Sequence, residues 1–115
     1  MDEAFRARLT ALGNEVGAAA IPDDCKQTAA WCLGQLPSLY VQLRQTNESR
    51  YVEAITRLVQ GILKALAASQ RACPEAQLWA TRIPECFRLL HEEYGLRALH
   101  LKPVGAAPPR SRKVG

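Results

Sequence analysis

A chain of 115 residues with 48% hydrophobic and 23% charged side chains has the composition of an ordinary globular protein, long enough to bury a core as one domain without disulfide or metal staples. Its formal charge of +4 is confined to one end: before residue 102, eleven acids meet eleven cations (Lys26, Lys64 and nine arginines), and Lys102, Arg110, Arg112 and Lys113 supply the excess. A neutral body is a poor match for a phosphate backbone, and no apolar run approaches the roughly 18 to 20 residues of a membrane span.

In chain order, Phe5, Leu9, Leu12 and Val16 recur at steps of four, three and four, which predicts an amphipathic helix from Asp2 to about Ala20. Gly13 and Gly17 each weaken a helix interior by about 1 kcal/mol relative to alanine, so the pattern allows a stop near Leu12. The acidic start Met1-Asp2-Glu3 does not have the basic and then apolar character of a secretory signal, and an intracellular protein of cytoplasm or nucleus is expected.

Ile21-Pro22-Asp23 breaks the first helix, because a residue before proline is pushed out of the α region. Asp23 or Asp24 is placed to cap the next segment, to about Gln45. There the apolar phase Cys25, Ala29, Cys32, Leu36, Tyr40, Leu43 continues through Pro37, so a kink or two coaxial pieces is expected rather than a reversal. The short polar link Thr46-Asn47-Glu48-Ser49 makes the second and third helices antiparallel neighbours.

The strongest helical pattern lies in Tyr51 to Ala68, where Val52, Ile55, Val59, Ile62 and Leu66 alternate at steps of three and four. Glu53, Arg57, Gln60 and Lys64 leave only a narrow wet stripe, so most of this helix must be covered by protein. Ala54, Gly61, Ala65 and Ala68 offer a neighbouring helix close approach, and this segment is therefore placed at the centre of the bundle. Pro74 suits the first position of a fourth helix, which carries Leu78, Trp79, Ile83, Phe87, Leu90 and Tyr94, is interrupted at Pro84, and ends before Gly95 at a C′ position. Leu96, Leu99 and Leu101 follow as a last turn or an extended strip docking on the bundle.

The fold expected is therefore all-α: a compact antiparallel bundle of about four helical segments over residues 1–101, two of them interrupted by proline. Residues 102–115, KPVGAAPPRSRKVG, have too little apolar surface to offset the entropy of ordering and are expected to form a disordered basic tail or linker.

No motif for chemistry emerges. The cysteines at 25, 32, 73 and 86 lack the paired spacing of a zinc site and read as small buried hydrophobes. His91 and His100 have no recognisable nucleophile and orienting acid beside them, and the seven glycines form no phosphate loop. Neither a cofactor nor a metal nor a small-molecule substrate is expected, and the chain reads as non-catalytic. What remains is apolar surface in excess of what a small bundle needs, which suggests a protein-interaction module: an adaptor, scaffold subunit or dimerisation domain holding a partner helix or peptide in an apolar groove. Its candidate contacts are Trp31, Tyr40, Trp79, Leu96, Leu99 and Leu101, since aromatic anchors are favoured at interfaces. The alternative is a small helical nucleic-acid-associated protein, with its arginines on phosphate and with Arg110, Arg112 and Lys113 as phosphate or nuclear-import contacts.

Overall fold

A computed structural model describes residues 3–69 and 73–102, and among them forms four helices: α1 (Glu3–Ala18), α2 (Asp23–Thr46), α3 (Ser49–Ser69) and α4 (Pro74–Glu93). The all-α bundle expected from periodicity is the fold found. The faces marked by spacing are buried as Phe5, Leu9, Leu12 and Val16 on α1, as Cys25, Ala29, Cys32, Leu36, Tyr40 and Leu43 on α2, and as Trp79, Ile83, Phe87 and Leu90 on α4, whereas Leu78, counted with the α4 set, is 50% exposed and Tyr94 is half-buried. On α3, Leu63 joins the five expected residues, because this helix has neighbours on two sides. α2 packs most closely on one flank of α3, α4 on the other, and α1 lies against α2.

Local chemistry explains the boundaries. α1 runs through Gly13 and Gly17 to Ala18 rather than stopping at Leu12, since burial of Val16 rewards the extra turn beyond what two glycines cost. α2 begins at Asp23 with Pro22 at its N-cap and no side-chain cap; Asp23 and Asp24, expected to cap, instead lie in the first turn and favour the positive end of the helix dipole. Asn47 terminates α2 in the left-handed region (φ 53°), and its N–H bonds the Leu43 carbonyl. Pro37 and Pro84 sit inside α2 and α4, which continue through them. The interruption is local, because a missing N–H forfeits one ladder bond while the apolar face on both sides stays buried.

The end of α4 sets the course of the chain beyond it. Gly95 takes φ +65°, its N–H bonds the Glu92 carbonyl, and the Leu96 N–H reaches back to His91 O at 2.8 Å. This paired 6→1 and 5→2 arrangement is a Schellman motif with glycine at C′. It turns residues 96–102, which have no regular secondary structure, back along the bundle. At the end of the described residues Lys102 is held, its N–H and C=O both bonded to the Gln60 side chain. Residues 103–115, including Arg110, Arg112 and Lys113, fall outside the described residues.

Candidate functional site

One end of the bundle is organised on a buried histidine. His91 is 2% exposed, and its Nδ1 lies 2.7 Å from the carbonyl oxygen of Arg97. A carbonyl only accepts, so Nδ1 carries the proton, and Nε2 accepts from the Tyr40 hydroxyl at 2.6 Å. Burial lowers the His91 pKa below its ordinary 6.5 against the opposing effect of the bond to Arg97, and burial pushes the Tyr40 phenol well above its usual range. Both groups are held neutral, as desolvation requires of a charged form that has no counter-ion. Phe5 and Tyr40 rings meet at 4.8 Å, Phe5 and Tyr94 at 4.9 Å, and the Arg44 guanidinium lies 5.0 Å and 4.8 Å above Phe5 and Tyr94. Arg97 Nε donates to the Asn47 carbonyl, which links the residues after α4 to the turn between α2 and α3.

This network relocates one candidate contact. Tyr40, expected to face a partner, is fully buried, because its ring continues the core phase of α2 and its hydroxyl has an internal acceptor. Trp79 is likewise core at 3% exposure, with Arg82 stacked 4.3 Å from its ring; it cannot anchor a partner without leaving the core. Trp31 is 64% exposed, on the face of α2 opposite its buried residues. Leu96, Leu99 and Leu101 are half-buried against the core. Thus the six candidates do not converge on one surface.

The seam between α1 and α4 went unnoticed in the sequence. No Cα of α1 comes within 8 Å of one on α4, so the two helices meet only through side chains. Two antiparallel-spaced ion pairs cross the seam, Arg8 with Glu93 and Arg82 with Glu15. Between the two pairs lies a groove of about 250 Å³, its lining including Leu9, Ala11, Leu12, Cys86, Phe87, Leu89 and Leu90. Leu89 on its rim is 46% exposed. Burial raises the Cys86 thiol pKa, so the sulfur enters this groove as an apolar group rather than a thiolate. Periodicity could not reveal the groove, because Ala11 and Leu89 fall outside the core phases of their helices and acquire meaning only when the helices are set side by side.

All four cysteines are free, with Cys25 and Cys32 buried and the Cys73 thiol donating to the Ala20 carbonyl at 3.2 Å. Among the described residues no three His, Cys, Asp or Glu side chains converge as a metal site would require, and no helix is long and apolar enough to cross a membrane. Several of the arginines considered for phosphate are engaged with carboxylates: Arg8 and Arg82 across the seam, Arg50 with Glu48, and Arg88 with both Glu85 and Glu92. Comparison with protein-family models, with curated proteins and with solved structures gives no match for this chain.

Proposed function

We propose that the protein is a non-catalytic helical interaction module, an adaptor, scaffold subunit or dimerisation domain, whose α1–α4 groove receives apolar side chains of a partner helix or peptide. The observation that supports this is the open seam itself: an apolar cleft floored by core residues, rimmed by exposed Leu89, and bounded at both ends by exposed ion pairs. Recognition of an amphipathic helix uses an apolar cleft of this kind, with polar rims setting its register. Trp31 offers a separate anchor on the outer face of α2. A non-catalytic role fits the state of His91, whose two ring nitrogens are both engaged inside the fold and so are unavailable to a substrate.

The test compares the full chain with Leu89→Glu, which puts a charge at the groove without touching the core. Proteins captured by the wild-type chain should stay bound as salt rises from about 50 to 200 mM and be lost from Leu89→Glu, whose circular dichroism should be unchanged; self-association seen by sedimentation should be lost in the same way. Capture and sedimentation identical for the two chains would refute the groove. Binding that disappears with salt or nuclease would favour a nucleic-acid role through the arginines instead.

A further inference from the structure

Residues 96–102 lie on the bundle in the manner of a bound peptide. The Gln60 side chain makes two bonds to a single residue's main chain, Nε2 donating to the Lys102 carbonyl at 2.8 Å and Oε1 accepting from the Lys102 N–H at 2.9 Å. His91 Nδ1 donates to another main-chain carbonyl, that of Arg97. These side-chain groups of α3 and α4 therefore read backbone, which any extended peptide presents, while the leucines at 96, 99 and 101 are only half-buried. The fit is also incomplete: a cavity of about 250 Å³ remains between strip and helix, its lining including Pro84, Phe87, His91, Leu96, Ala98 and Leu99. On the strip's side Ala98, itself exposed, is the smallest of the lining residues. Gly95, at φ +65°, makes the turn from which the strip departs α4.

We propose that the α3–α4 face is a docking site for an extended peptide of a partner protein, apolar at the spacing of Leu96, Leu99 and Leu101 and bulkier where this chain has Ala98, and that residues 96–102 are its built-in competitor. Recognition is by the Gln60 amide clamp and the His91 donor on the main chain, with leucine-sized side chains entering the cleft, as in other sites that combine main-chain bonds with alternating pockets. The tethered strip competes at an effective concentration in the millimolar range, so only a better-fitting peptide displaces it. This site lies on a different face from the α1–α4 groove, and the two stand or fall separately.

The experiment uses a synthetic capped, dye-labelled peptide of the sequence from Gly95 to Lys102, read by fluorescence anisotropy. The receptor is the full chain carrying Leu99→Asp and Leu101→Asp, which should release its own strip while leaving the helical circular dichroism intact. The peptide should bind this receptor saturably and the wild-type chain more weakly. Adding Gln60→Ala should weaken binding about tenfold, the loss expected of two main-chain hydrogen bonds, and a peptide with Ala98→Phe should bind more tightly than the parent. Unfolding of the Leu99→Asp/Leu101→Asp chain would show the strip to be a structural part of the core and overturn the proposal. So would the lack of saturable binding, or binding indifferent to Gln60→Ala. A concentration-dependent wild-type dimer lost in Gln60→Ala would make a second copy's strip the occupant and overturn the assignment to a partner.

Discussion

His91 is where burial, hydrogen bonding and titration meet. In the folded chain its pKa lies below 6.5, chiefly because burial disfavours the imidazolium, whereas in the unfolded chain it returns to the ordinary value. The unfolded state therefore binds more protons between the two values, and stability rises with pH across that window. The contribution is complete above about pH 6.5 and is lost as pH falls from there toward the folded pKa, because protonation puts a charge in the core and removes the acceptor for Tyr40. Urea midpoints measured at several pH values from 7.5 downwards should fall for the wild type and fall less for His91→Gln, whose amide keeps a donor and an acceptor; equal slopes would exclude His91 as the titrating group. Tyr40→Phe should cost about 1–3 kcal/mol at neutral pH, since it leaves the His91 acceptor buried and unpaired.

At the scale of one helix, two glycines test opposite expectations. Gly34 lies inside α2 with no atom within 4 Å of where a Cβ would stand, so Gly34→Ala should stabilise by about 0.5–1 kcal/mol through the helix propensity of alanine. Gly95 also has open space, but its φ of +65° penalises a side chain by about 1–2 kcal/mol, and Gly95→Ala should destabilise. Thermal unfolding of the pair decides between backbone conformation and crowding as the determinant. If both substitutions moved the midpoint the same way, the Schellman turn would not govern the end of α4. The prolines belong to the same scale: burial on both sides of Pro37 and Pro84 outweighs one lost ladder bond at each, so α2 and α4 stay continuous.

For the molecule as a whole, α3 is the shared wall on which α2 and α4 pack. Ile62 is fully buried there, and Ile62→Asp places a charge with no partner in the core, which should cost more than about 4 kcal/mol and unfold the domain. Lys64, two residues on, is exposed, and Lys64→Ala should shift the midpoint by no more than about 0.5 kcal/mol. Far-UV circular dichroism with urea titration of the two variants checks the contrast; similar effects would mean that α3 is not central. The ion pairs across the α1–α4 seam contribute little by comparison, because side chains 40% to 58% exposed are worth roughly 0–1 kcal/mol per pair.

Much of this was legible in the letters. Val52, Ile55, Val59, Ile62 and Leu66 marked the face of α3, Phe5 to Val16 that of α1, and Gly95 the end of α4, because helical period and left-handed glycine are properties of a few consecutive residues. Even the burial of Tyr40 was implicit in its phase with Leu36 and Leu43, although an aromatic side chain read on its own suggested a partner contact. Tertiary structure decided the rest: the Tyr40–His91–Arg97 network spans 51 and then 6 positions, the Gln60 clamp spans 42, and the seam brings Ala11 beside Leu89. Gln60 read as one more polar residue on a wet stripe, and Leu89 as an apolar residue out of phase. Local periodicity determines which face of each helix is buried, whereas a groove or a clamp is made by two elements together, and its residues have no common signal until the chain has brought them together.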